Sequence, residues 1–386
     1  MKPLVKLLFA ALAFILISCS QERVLTPSLL GEISIVNNSS ERTNLTEIFG
    51  KNYRVIKLES PDGDNRILSV VKVIKRAGNI YLSSRTNEIF IFDEYGNFKL
   101  KISKKGAARD EYLSVMDFDV VIQAGVARVF VSDETKINIY QVGDGDCQFE
   151  RSITFPNVNL DKFAIFNDKI IAKIRGDQTL LIASLDSDIA QLFYPLDSNN
   201  IATKINQFIV IGDECIYQNG TTNSCVKINS RFEDSIADIV TSDENILTER
   251  NAKILFDREQ DKMATWDIIL KDYLNLFNFQ RVGNTNYMIY MTNEFKDRYL
   301  VVKPNGQESR SYCFFGENTN IIDDILHIDM PSYIASMLNN ISDCGIIINI
   351  ESSYLLDKTV TIQNEFEEVK HTITDNENDY LLEFIY

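Results

Sequence analysis

The chain has 386 residues, 45% of them hydrophobic, and its 39 basic and 55 acidic residues give a formal net charge of −16. That length holds two ordinary domains or one large closed repeat array, with ample apolar material for a core. The acidic balance argues against a nucleic-acid groove, which needs concentrated Lys and Arg, and no basic run exceeds two residues, as at Lys104-Lys105.

At the start of the chain, Lys2 and Lys6 precede the apolar run Leu7 to Ile17. The run is too short to span a bilayer and has the length of a secretory leader. It closes on Leu16-Ile17-Ser18-Cys19, which matches the lipobox of bacterial lipoproteins. The thiol of Cys19 would receive a diacylglycerol, and its amine, once residues 1–18 are removed, a further chain such as palmitate. Several chains anchor stably where one does not. The alternative is an ordinary leader with a chance Cys. Losing Lys2 and Lys6 with the leader leaves 37 basic against 55 acidic residues, an acidity that reads as solubility. Residues 19–30 read as a tether. Ser20-Gln21-Glu22 lacks an Asp at its second position, which favours the outer membrane, with the periplasmic and external faces both open.

Ile33 to Val36 and Tyr53 to Leu58 read as strands, and Ser69 to Lys75 as the innermost strand of a first sheet. Asn79 to Ser103 then gives three more strands. Ile89-Phe90-Ile91-Phe92 is apolar at every position, as for a strand covered on both faces. Asp93 to Asn97 supplies turn chemistry. Phe98, Leu100 and Ile102 alternate with Lys99, Lys101 and Ser103, as on the rim of a sheet. Buried middle strands with a wetter outer strand describe a propeller blade packed between two neighbours.

The unit recurs at Val129 to Thr154, where Ile137-Asn138-Ile139-Tyr140 falls about one blade repeat, roughly 40 to 50 residues, after Ile89. Weaker copies cover Lys162 to Leu196, Asn206 to Val240, Leu274 to Phe315, and Ile325 to the end. The expected fold is an all-β, six-bladed β-propeller over residues 31–386, with an N-terminal strand, Tyr53 to Leu58, completing the last blade beside Asp379 to Tyr386. Unrelated hairpins in a sandwich are the alternative.

Lys105 to Tyr112 follows the first unit. With it, the chain resembles the six-bladed β-propeller lipoproteins of gut-dwelling Gram-negative anaerobes, themselves distantly similar to NHL-repeat propellers. That family carries Gly-x-Gly-Pro-x-Glu-Tyr here. Gly106, Glu111 and Tyr112 match, while Ala108 and Arg109 replace the second Gly and the Pro. Further matches are Tyr53 to Leu58, Pro331 to Ile334 and Asn378 to Leu382. The resemblance implies shape more than chemistry. Arg109, Glu111 and Tyr112 are candidate ligand-binding residues on an inter-blade loop. Their structural reading has Glu111 pairing with Arg109 or capping backbone amides, and Tyr112 packing between blades.

Ser242 to Tyr273 departs from strand patterning, and Trp266, Ile269, Leu270, Tyr273 and Leu274 fall at helical spacing, so a helix is expected between the fourth and fifth blades. Trp266 reads as a core aromatic or a sugar-stacking platform. Tyr354 to Lys358 and Gln363 to Ile373 read as short helices near the C-terminus. His327 and His371 are the only histidines and do not form a pair at ligand spacing, so no zinc or His-rich metal site and no cofactor is expected; a Ca²⁺ site of Asp and backbone carbonyls in the central channel stays open as an alternative. The Asp323-Asp324 pair reads as a solvated loop. No nucleotide loop or nucleophile elbow is present. Besides Cys19, the cysteines are Cys147, Cys215, Cys225, Cys313 and Cys344. Cys215 and Cys225 are symmetric about Gly220, a candidate cross-strand disulfide.

Two functions follow. One is a monomeric binding or scaffolding module, held at the membrane by its lipid and presenting a propeller face to a glycan, peptide or envelope protein. The other is a hydrolase or lyase with acids drawn from several blades around the axis.

Overall fold

The structure, a computed structural model, describes residues 33–35, 42–60, 67, 69–175, 179–186, 190–195, 208–218, 224–238, 247, 251, 254–255, 257, 265, 268–269, 272–291, 297–326, 331–343, 345–352 and 379–386. The leader, Cys19, the tether, Trp266, His327, His371, Cys344 and the two expected C-terminal helices lie outside these residues.

Six blade sheets follow one another along the chain, beside a two-stranded parallel pairing of Thr43–Asn44 with Ile321–Ile322. The innermost strands of the first five are β1 (Val70–Arg76), β2 (Asp117–Gln123), β3 (Leu160–Phe166), β4 (Ile209–Ile211) and β5 (Asn275–Val282); the short β6 (Ile341–Ser342) leads into the sixth and pairs in parallel with β1, as a fifth strand of the first sheet. Blades one to five each run outward from these through three further antiparallel strands. The sixth blade pairs Gly345–Ile350 with Tyr380–Ile385, and Tyr380–Ile385 in turn with the N-terminal strand Tyr53–Lys57, in register Tyr53 to Phe384 through Lys57 to Tyr380. The expected closure is therefore present. It covers an edge that would otherwise offer unpaired backbone groups to another chain.

The apolar sequence pattern becomes six seams. Each of six core clusters joins one pair of neighbouring blades, and together they run around the ring. The strand Ile89–Asp93 shows why an unbroken apolar run was needed. Phe90 and Phe92 pack toward the sixth blade, while Ile89 and Ile91 pack toward the second. On the outer strand Phe98–Ile102, Lys99 and Lys101 are exposed while Leu100 and Ile102 are buried. At the seam between blades six and one, the hairpin tip at Gly96 lies against the closing strand. Its φ of 91° and the 2.1 Å from a built Cβ to the Lys57 carbonyl oxygen both demand glycine.

Several expectations change. The recurring unit expected at Val129 to Thr154 is the strands Val126–Asp133, Lys136–Val142 and Cys147–Thr154, preceded by an innermost strand, Asp117–Gln123, that the sequence reading did not name. Ile33 makes only an isolated bridge, and Ile33 and Ile35 fill the seam between blades four and five. The sixth blade opens with the 3-10 helix Ser332–Asn339. Asp323 is not solvated: it is buried, accepting hydrogen bonds from the Ile325 and Leu326 amides and the Tyr333 hydroxyl. Cys215 and Cys225 do not meet. The hairpin register sets Cys215 opposite Ile228 and Cys225 opposite Gln218, so the two cysteines face different seams and no disulfide joins them. Between blades four and five, the described residues with regular structure are helical, and Ile269 and Leu247 form a small buried cluster there. Among the described residues no helix is long and apolar enough to cross a membrane.

Candidate binding site on the propeller axis

Apart from the short parallel pairing of β6 with β1, no ladder joins the inner strands of neighbouring blades among the described residues, and side chains bridge them. From β1, the Lys72 ammonium donates to the Phe118 carbonyl at 2.8 Å and pairs with Asp117 at 2.9 Å; the Arg76 guanidinium donates to the Val120 carbonyl. From β2, Asp117 accepts from the Phe163 amide at 3.2 Å, and Asp119 accepts from the Ile165 amide at 2.9 Å. From β5, the Gln280 amide donates to the Asn340 carbonyl at 2.8 Å, and the Asn340 side chain accepts from the Val73 amide at 3.0 Å. The partner numbers rise together, so these strands run parallel around the axis. Such charge-assisted bonds are stronger than neutral ones, and each removes a backbone group that would otherwise be orphaned.

Inside this ring lies a cavity of about 120 Å³. All six inner strands or their immediate flanks line it: Lys72 and Arg76 from β1, Asp119 from β2, Phe163 from β3, Ile209 from β4, Gln280 and Arg281 from β5, Ile341 and Asp343 at β6. This is the central channel. Arg76 stands between two carboxylates, 3.6 Å from Asp119 and 3.8 Å from Asp343. Asp119 is also held by the Val120 and Ile165 amides, which fixes its position. Behind Lys72, burial would raise the Asp117 carboxyl, but the Lys162 and Lys72 charges overcome it and leave the group below the usual aspartate range. No group of three or more metal-ligating side chains gathers among the described residues.

The loop bearing Arg109, Glu111 and Tyr112 precedes β2, whereas Arg76 and Asp343 lie at the C-terminal ends of the parallel inner strands. The two places are at opposite ends of the disc. Tyr112 is fully buried in the seam between blades one and two, its hydroxyl donating to the Ile102 carbonyl at 2.9 Å. Glu111 caps the Ala108 amide at 2.8 Å. Arg109 is exposed, and its carbonyl accepts from the Ser152 hydroxyl at 3.1 Å. Tyr140 likewise reads the Asp110 carbonyl and Asn138 the Glu111 carbonyl, each at 2.8 Å. The loop is thus pinned to blade two through its backbone. Gly106 leaves room for the Glu111 side chain: a Cβ there would sit 2.0 Å from the Glu111 carboxylate, which would have to swing away. Gly106→Ala should cost about 1 kcal/mol by expelling that carboxylate from its amide. Denaturant unfolding of the single and double variants checks this, because with Glu111→Ala already present the glycine substitution should cost almost nothing.

The channel residues were the ones missed from sequence. A signal existed in Asp117-Phe118-Asp119-Val120, where acids alternate with apolar residues on a buried strand. Phe118 and Val120 pack toward blade one, and the two acids turn to the next inner strand.

A family profile described as a six-bladed β-propeller, DUF5128, matches residues 28–321. The chain belongs to this family. The match stops before Ser332–Asn339, so Gly345–Ile350 and Tyr380–Ile385 of the sixth blade lie beyond it, while their N-terminal partner Tyr53–Lys57 lies within it. Among solved structures, a Bacteroides fragilis protein provisionally described as exported is similar at 14% identity and a TM-score of 0.67, over 93% of this chain and 99% of that one. A DUF4221 family member from Bacteroides vulgatus is similar at 10% identity and a TM-score of 0.48, over 87% and 96%. At such identities the likeness concerns the fold. No curated protein matches the chain.

Proposed function

We propose that this protein is a lipid-anchored binding module of the cell envelope. In this reading Cys19 carries the acyl chains, the outer membrane holds the disc, and the axial channel receives part of a glycan, peptide or envelope protein. The observation that carries it is the use of the channel's charges. Asp119 in the channel wall and Asp117 behind it are occupied as braces between blades, so their oxygens are committed to neighbouring strands and are poorly placed for acid–base work on a bound molecule. Asp119 and Asp343 do converge, as a hydrolase would require, but both pair with the same Arg76 guanidinium, which stands between them. The likeness to a Bacteroides protein provisionally described as exported fits the leader.

The test is retention of glycan and peptide libraries by the full chain in detergent, beside a Ser342→Trp variant that fills the channel at a lining position. Loss of retention in the variant supports the channel. Unchanged retention places binding elsewhere, and turnover of a retained compound replaces the binding reading with the hydrolase or lyase one. Mass spectrometry of the N-terminal peptide tests the anchor, with diacylated Cys19 expected and an unmodified terminus contradicting it.

A further inference from the structure

Two polar atoms in the channel wall have no partner. Gln280 is buried, 5% exposed, and its amide nitrogen is committed to the Asn340 carbonyl, but its Oε1 accepts nothing. Next to it on β5, the Nε–H of Arg281 is also buried and donates to nothing. Leaving such groups unsatisfied is expensive, more so for a charged one. In a native protein each needs an explanation, and two adjacent ones lining one cavity share it.

The charges point the same way. Three cations and two carboxylates line the cavity: Lys72, Arg76 and Arg281 against Asp119 and Asp343. Lys72 is neutralised by Asp117 behind it, and Arg76 by Asp119 and Asp343. Arg281 has no carboxylate within ion-pair distance among the described residues. In a chain of net charge −16, a half-buried guanidinium in the channel wall, with its Nε buried and unpartnered and no carboxylate beside it, is the group most in need of an anion. A guanidinium is also the side chain best shaped for a carboxylate, which it meets through two parallel N–H donors.

Geometry narrows the class. Gln280 and Arg281 are consecutive on a strand, so their side chains leave it toward opposite faces: Gln280 reaches Asn340 at the sixth blade, and Arg281 turns to the side of blade four. Both line the cavity, so a molecule lying across the channel-facing edge of β5 meets both. It must present a negative group at one end and a hydrogen-bond donor several bonds away. Acetate lacks the donor, and a neutral sugar lacks the charge.

We infer that the channel binds a hydroxylated carboxylate of the sugar-acid type, with its carboxylate on Arg281 and a hydroxyl donating to Gln280 Oε1. The inference rests on the channel reading above and names its ligand class.

Calorimetric titration of the full chain in detergent with sodium glucuronate, and with glucose as the neutral control, tests it. The variants are Arg281→Gln, Arg281→Lys and the channel-filling Ser342→Trp, each first shown by thermal melting to fold. Saturable binding of glucuronate is expected, with glucose at least tenfold weaker. Arg281→Gln should weaken glucuronate at least tenfold and Arg281→Lys less, while Ser342→Trp abolishes binding. Equal binding of both sugars, lost in Ser342→Trp, would overturn the sugar-acid inference and leave the channel as the site. Glucuronate binding that Ser342→Trp does not disturb would overturn both. Absence of any saturable glucuronate heat, or wild-type affinity in Arg281→Gln, would overturn the inference alone, since the channel reading has its own library test.

Discussion

Glu383→Leu is expected to destabilise the protein by about 3–5 kcal/mol, the usual cost of stripping one partner from a buried ion pair. Glu383 is fully buried in the C-terminal strand Tyr380–Ile385. Its carboxylate takes the Lys75 ammonium at 2.6 and 2.8 Å and the Arg54 guanidinium at 2.7 Å. Lys75 belongs to blade one, itself only 4% exposed, and Arg54 to the N-terminal closing strand. One carboxylate therefore ties both ends of the ring to its first blade. The leucine would strand a buried ammonium at the seam that closure must hold. Adding Lys75→Met should recover much of the loss, because the charge left behind, rather than the missing attraction, is the larger cost. Urea unfolding of the two single variants and the double variant measures this. If the double variant is as unstable as the sum of the singles, the ion cluster is not what binds the seam.

Asp117→Ala should cost a similar amount at neutral pH, and its signature is in the acid limb. The carboxylate is buried, with Lys72 at 2.9 Å, Lys162 at 3.9 Å, and the Phe118 and Phe163 amides at 2.9 and 3.2 Å. Burial opposes ionisation, but the Lys162 and Lys72 charges outweigh it, so the folded carboxyl titrates below its unfolded counterpart. The sign follows from linkage. The group's contribution is complete above the unfolded aspartate pKa of about 4 and disappears as the pH falls through the lower folded value. Wild-type stability should therefore fall through this range more steeply than that of Asp117→Ala or Asp117→Asn. Parallel acid limbs would show that Asp117 is not held in its charged form.

The ring was legible in the sequence wherever burial left a local pattern. Ile89 to Phe92 announced a strand between two neighbours, and Phe98 to Ile102 announced a rim. Once the ring was expected to close, the strand patterns of Tyr53 to Leu58 and Asp379 to Tyr386 were enough to pair the two ends. What was not legible depends on register or on distant partners. Asp117–Gln123 was passed over as the first strand of blade two, because its acids and the exposed Gln123 dilute the apolar pattern. Those acids matter only beside Lys72, Phe163 and Ile165, which other blades supply. Cys215 and Cys225 looked paired because spacing was counted from Gly220, and the actual register turned them to different seams. Glu111 and Tyr112 were visible as a motif, and the structure shows what the motif does: the carboxylate folds over Gly106 and the ring fills a seam. Arg281 and Gln280 left no local mark, since a channel is defined by six strands drawn from the whole chain.

The most direct test is a crystal structure of the full chain grown with sodium glucuronate. The account predicts six inner strands around an open axis, with the sugar acid across β5 and its carboxylate about 2.7–2.9 Å from the Arg281 guanidinium. An axis plugged by side chains, or a sugar acid bound only away from the channel, would contradict it.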